Sequence, residues 1–273
     1  MRKILALAMF VLLTSSAYAM MNEYGVISKT FQVDLNAYGV FYRSVFHDDN
    51  DADLSEKDEE SQLNLMPTIR FRPVRGFEFN FTYPIRDDGM KSVTGVWGPI
   101  LGFKYGSPSS AGFVNFVFPA GSKKLLGNGE RPDPAIVLGG TNFYGDWKTF
   151  GIRLHSWYFW DFNERSADEL YLLIRPEYSF GTIRVGLGFP FEFLYGSDGS
   201  FVSNTPGNVR AKGYTGEDEF GYTMSLGIEP KVTIGLGLIE VEPYFNIPIW
   251  EYTNDAASLY YGFTLGAALH LKF

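Results

Sequence analysis

The chain has 273 residues, a formal net charge of −8 and no cysteine, which excludes a disulfide framework, a thiolate metal site and a lipid anchor on an N-terminal cysteine. An acidic chain is a poor partner for nucleic acid, and beyond the N-terminus no run of about eighteen apolar residues exists to make a spanning helix. Its 25 Phe, 17 Tyr and 30 Gly, at a mean hydropathy of −0.07, instead describe extended strands that are apolar on one face and polar on the other.

Arg2 and Lys3 precede an apolar run from Ile4 to Leu13, which Ser15, Ser16 and the small-x-small site Ala17-Tyr18-Ala19 follow. This is the pattern of a secretory signal peptide, residues 1–19, cleaved after Ala19. Residues 20–30 form a leader on the periplasmic side or a partial plug, and 31–273 a single domain. The first strand alternates Phe31, Val33, Leu35, Ala37 and Phe41 against Gln32, Asp34, Asn36 and Tyr38, and ends in an acidic loop. The second sets Leu63, Leu65, Ile69 and Phe71 against Asn64, Thr68, Arg70 and Arg72. In the third, Phe77, Phe79, Phe81, Tyr83 and Ile85 alternate with Glu78, Asn80, Thr82 and Arg86.

Strands four and five, about 93–105 and 112–119, flank the turn at Ser107–Ser110. Strand six, about 135–144, has no clear face, and Gly145-Asp146-Trp147-Lys148 turns it into strand seven. There Phe150, Ile152, Leu154, Tyr158 and Trp160 oppose Arg153, His155, Trp157 and Asp161. Strand eight sets Leu170, Leu172, Ile174 and Tyr178 against Tyr171, Arg175, Glu177 and Ser179. The ninth carries Ile183, Val185, Leu187, Phe189, Phe191 and Phe193, and the longest loop, about 195–218, follows it. Strand ten places Tyr222, Met224, Leu226 and Ile228 opposite Thr223, Ser225, Glu229 and Lys231. Strand eleven places Ile239, Val241, Phe245, Ile247 and Ile249 opposite Glu240, Glu242 and Asn246. Proline at 67, 99, 176, 190, 230, 243 and 248 removes ladder donors, so bulges or breaks are expected there.

The last stretch, Ser258 to Phe273, places Leu259, Tyr261, Phe263, Leu265, Ala267, Leu269 and Leu271 on one side and His270 and Lys272 on the other. Its aromatic ending resembles the closing strand of bacterial outer-membrane barrels, where the terminal aromatic residue marks the chain for insertion. Twelve strands result, with connections that alternate between long polar loops and turns of a few residues. That sorting predicts an all-β, transmembrane, antiparallel up-and-down barrel of twelve strands, with short periplasmic turns and longer extracellular loops. The same reading implies residence in the outer membrane as a monomer, contact with its lipid and lipopolysaccharide, and engagement of the barrel assembly machinery through Phe273.

With the apolar faces outward, the inner face gathers Arg70, Arg72, Glu78, Lys104, Arg153, Arg175, Glu177, Arg184, Glu229, Lys231, Glu240, Glu242 and Lys272 near the short turns. Two readings stand: a constriction that selects small solutes by size and field, or a salt-bridge network that holds the barrel and leaves no path. The near-neutral balance fits the network, and the inward glycines 186, 188, 221, 227, 262 and 266 fit open space. In the acidic loop Asp49, Asp51 and Asp53 alternate and Glu60 follows, but Leu54 stands where a calcium loop needs glycine, so no metal or other cofactor is expected. Outer-membrane lipid hydrolases place a His-x-Ser pair on one strand face. Here His155 is followed directly by Ser156 on the opposite face, and His47 and His270 have no such serine, so no enzyme is expected.

The segment from Gly95 to Lys124 resembles outer-membrane proteins assigned to the meta pathway of phenol degradation, through Gly102, Lys104, Tyr105, Pro119 and Gly121. The resemblance covers about thirty residues and implies a transporter for small, hydrophobic or aromatic molecules. Composition and spacing by themselves point to a narrow passive channel for small solutes, or to a barrel that conducts nothing and works through its outer loops.

Overall fold

The computed structural model describes residues 24–27, 29–44, 60–88, 93–96, 98–121, 134–162, 168–197, 201–202, 211–212, 220–253 and 260–273. The strands are β1 (Phe31–Ser44), β2 (Glu60–Val74), β3 (Phe77–Thr82), β4 (Ile85–Asp88), β5 (Val93–Val96), β6 (Ile100–Gly106), β7 (Ser110–Val117) and β8 (Ala135–Gly145). They continue as β9 (Phe150–Asp161), β10 (Asp168–Phe180), β11 (Ile183–Ser197), β12 (Phe201–Val202), β13 (Ala211–Lys212), β14 (Phe220–Leu236), β15 (Ile239–Thr253) and β16 (Tyr260–Lys272). β3 with β4 makes one spanning strand and β5 with β6 another, while β12 and β13 pair only with each other. Twelve spanning strands remain, each antiparallel to its neighbours in the chain. β16 returns to β1 over the register Gln32↔Lys272 to Ser44↔Tyr260, and this closes the barrel.

Closure pairs β1 with both β16 and β2 and so leaves no open seam between the first and last strands, which lipid demands because no water is there to satisfy one. The faces are inverted relative to a soluble protein: Ile174 is 53% exposed, whereas its neighbour Arg175 is 1% exposed. The outward rows through Ile69, Phe81, Phe150, Phe189 and Ile249 expose apolar surface around the barrel, a band that only hydrocarbon can cover. The turns at the other end are tight. Gly76 and Gly237 reverse the chain there with φ of 83° and 76°, a region that side chains with a Cβ rarely enter.

The strand breaks fall where proline sits, though not at every proline. Pro84 cannot donate to the ladder and separates β3 from β4, while Tyr83 N–H still reaches Pro67 O on β2 at 3.0 Å. The outward row keeps its parity across this break, with Tyr83 exposed and Ile85 half-exposed, so alternation alone does not reveal it. Pro99 lies between β5 and β6. Near Pro248 the register slips from Leu226↔Trp250 to Gly227↔Pro248, leaving Ile249 as the extra residue of a bulge. Pro67, Pro176, Pro190, Pro230 and Pro243 lie within continuous strands, and the ladder instead skips Pro176 between β10 and β11, Pro190 between β11 and β14, and Pro230 and Pro243 between β14 and β15.

Candidate functional site: a charged belt and the leader that crosses it

Near the short turns the inward side chains meet in paired charges. Arg70 on β2 donates to Glu78 on β3 through Nε at 2.7 Å and Nη2 at 3.0 Å, a bidentate pair, and reaches Asp34 on β1 at 3.5 Å. Across the seam, Asp34 meets His270 Nδ1 on β16 at 2.7 Å, and His270 Nε2 lies 3.4 Å from Glu242 Oε2 on β15. Lys231 on β14 holds the same Glu242 oxygen at 2.9 Å. Farther round, Arg153 on β9 donates to both Glu177 oxygens, at 2.7 and 3.2 Å, and Arg175 Nη2 pairs with Glu229 Oε1. Arg184 joins Glu177 from 3.7 Å, and Lys272 pairs with Glu240 at 2.8 Å on the more exposed rim.

Twelve of the thirteen residues picked from the sequence therefore face one another or the leader, and Arg72 stands apart, half-buried one step closer to the turn. Isolated charges this deeply buried would be costly, and reciprocal pairing is what makes them tolerable. The inward glycines serve this packing instead of opening the lumen. A Cβ at Gly186 would lie 2.7 Å from Arg175 Cδ, and one at Gly227 would lie 2.6 Å from Asn246 Oδ1. Gly188 likewise faces Leu173 Cδ1 and Arg175 Nε. The expectation that these three glycines mark open space is overturned.

The leader enters this belt from below. Tyr24 spans it: its hydroxyl donates to Glu242 Oε1 at 2.5 Å, and its carbonyl accepts from Lys104 Nζ at 2.7 Å on a distant wall. The ring is flanked by two cations, Arg153 at 4.4 Å and Lys231 at 4.8 Å from its centroid. Backbone contacts complete the docking, with Arg70 Nη2 donating to Gly25 O at 3.2 Å, Ile27 N–H to Glu78 Oε2 at 2.8 Å and Val26 N–H to Ser107 O at 3.0 Å. Beside it Trp147, from the turn after β8, stacks on Phe143 at 3.9 Å and 17°, and the Arg184 guanidinium lies 4.7 Å over the indole. Periodicity held no signal for Tyr24, Phe143 or Trp147, and Asp34 was legible only as an inward residue.

Farther from the turns the inner wall changes character. Along β9 the inward side chains run from Arg153 through His155 and Trp157 to Phe159. Along β10 they run from Arg175 through Leu173 and Tyr171 to Glu169. Trp157, Phe159, Tyr171 and Leu173, with Met66, Ile100, Phe113 and Val137, form an apolar collar whose members are 7% exposed or less. The His155 imidazole stacks on Phe113 at 5.8 Å and 22°, and the Trp157 indole on Tyr171 at 5.2 Å and 12°. A uniformly polar lumen face, as the alternation implied, is thus wrong for this level. It also explains β8, where Ala135 and Val137 point inward while Ile136 and Leu138 point outward, so both faces are apolar. Of the calcium-like loop, Asp49, Asp51 and Asp53 lie outside the described residues, and Glu60 opens β2.

No protein-family model matches the chain, and no curated protein matches it in sequence, so the meta-pathway resemblance rests on its thirty or so residues alone. Among solved structures, an outer membrane channel from Pseudomonas putida F1 superposes with a TM-score of 0.54 at 11% identity, over 92% of this chain and 98% of that one. At that identity the likeness shows the fold alone, a closed antiparallel barrel of twelve strands. A mutant of the porin of Rhodopseudomonas blastica aligns over 88% of this chain and 100% of that one, but with a TM-score of only 0.31 at 10% identity.

Proposed function

We propose that this protein is a narrow passive channel of the bacterial outer membrane, in which small solutes meet a charged belt and an apolar collar in series. The observation that carries the reading is the leader, docked across the belt by a few polar contacts to side chains of separate strands. A structural barrel would need no such stopper. The apolar collar, with its aromatic faces at Phe113, Trp157 and Tyr171, favours small hydrophobic or aromatic solutes over ions. Export through a signal peptide cleaved after Ala19, a monomeric state and assembly through Phe273 belong to the same proposal.

Planar lipid bilayers test it. The mature chain is expected to give small conductance steps, and deletion of residues 20–27 larger ones. Arg175→Gln and Glu242→Gln should shift ion selectivity in opposite directions, because they remove opposite charges from the belt. Silence from both the mature and the leader-deleted chains overturns the channel. The tight packing of the collar favours a second reading, a non-conducting barrel that acts through its outer loops. β11 runs on to Ser197, past the expected start of this loop, so trimming residues 198–218 separates the two, since a channel keeps its conductance and a binding surface loses its ligand.

A further inference from the structure

We infer that Glu240, Glu242 and His270 form a binding site for a divalent transition ion of the zinc type, at the turn-side mouth of the lumen. One ligand atom from each of the three lies within 4.8 Å of the others. The register puts them on adjacent strands, with Glu240 directly opposite His270 and Glu242 two residues farther along β15. Two carboxylates and an imidazole are a donor set that zinc accepts with water completing the tetrahedron.

Orientation argues for the ion more strongly than proximity does. Asp34 engages His270 Nδ1 at 2.7 Å, which fixes the ring and turns Nε2 toward the two glutamates. A carboxylate on the far nitrogen is the arrangement that metal-binding histidines use, because it sets the tautomer and raises ligand basicity. His270 is 6% exposed, and its buried Nε2 makes no short hydrogen bond. That atom lies 3.4 Å from Glu242 Oε2, close to the separation of about 3.3 Å between two ligands of one tetrahedral zinc. Glu240 must move nearer, and at 22% side-chain exposure on the rim it has the freedom to do so.

Access and charge complete the case. A cavity of about 360 Å³ opens beside the site, bordered by Glu240, His270, Gln32 and Lys272, and it supplies both a route for the ion and its water ligand. The ion has to displace Lys231 from Glu242 Oε2 and Lys272 from Glu240 Oε2, now at 2.9 and 2.8 Å. Lys231 keeps Glu229 as an acidic neighbour when it leaves. Glu242 Oε1 meanwhile keeps its bonds from Tyr24 and Thr233, at 2.5 and 2.9 Å, so the ion binds with the leader in place.

The test is calorimetric titration of the mature, metal-stripped barrel in detergent with zinc chloride. One ion per chain is expected, with X-ray absorption showing one imidazole nitrogen among oxygen ligands. His270→Gln should weaken binding at least tenfold, and Asp34→Asn, which touches no metal, about tenfold through the ring it orients. His47→Gln serves as the background control and should change nothing. If the His270 variant does not give a folded, heat-modifiable band on gels, Glu240→Gln takes its place, with at least a fivefold loss expected. Absence of binding by the unaltered barrel, or equal binding by the ligand variant used, overturns the site.

Discussion

The belt and the collar lie in the same lumen, a few residues apart on the same strands, and are held by opposite physics. The belt is a set of specific partnerships: Arg70, Arg153, Arg175, Arg184, Lys231 and Lys272 each have a named carboxylate, and the leader docks by borrowing some of them. The collar is ordered by shape, with rings stacked on rings and Val137 or Leu173 filling what remains. Loss of one member should therefore be costly and local in the belt, where it strands a charge. In the collar it should be gentler and change the bore.

Arg70→Met should have the largest effect, because it leaves Glu78 and Asp34 without their shared guanidinium and costs roughly 3–5 kcal/mol. Urea unfolding of the reconstituted barrel, followed by its heat-modifiable gel shift, measures that. Leu173→Ala in the collar should cost about 2–4 kcal/mol by the same assay. Unlike the belt variant, it should raise single-channel conductance, since it widens the tight level; an unchanged conductance would break the contrast drawn here. Tyr24→Phe keeps the ring between its cations and removes only the bond to Glu242, a hydrogen bond to a charged group worth about 1.5–3 kcal/mol. Faster cleavage of the leader by a periplasmic-side protease, with the wall's unfolding midpoint unchanged, is the expected sign. Lys272→Met on the exposed rim should cost under about 1 kcal/mol, and 1 M salt should erase the difference.

The same contrast explains what the sequence made legible. Outward rows and belt residues stood out because apolar and charged side chains alternate there, as at Ile174 and Arg175. In the collar that contrast vanishes, so the face of β8 was ambiguous and Leu173 went unassigned although it points inward. Pro84 escaped notice because Tyr83 and Ile85 keep the outward parity across it. The glycines misled for a related reason: a missing side chain reads as space, yet Gly186 and Gly188 are filled from the next strand by Arg175. Tyr24 could not be found at all, since a docked leader has no period to betray it.

The Tyr24 hydroxyl meets an acceptor 218 residues away, and its carbonyl meets a donor 80 residues away. Its berth is thus assembled from parts made at different times, and the last of them is in place only once β16 has zipped onto β1. A barrel still open at that seam offers the leader nothing to hold. Docking as observed therefore needs the closed wall, and protection of the leader from protease reads out that closure.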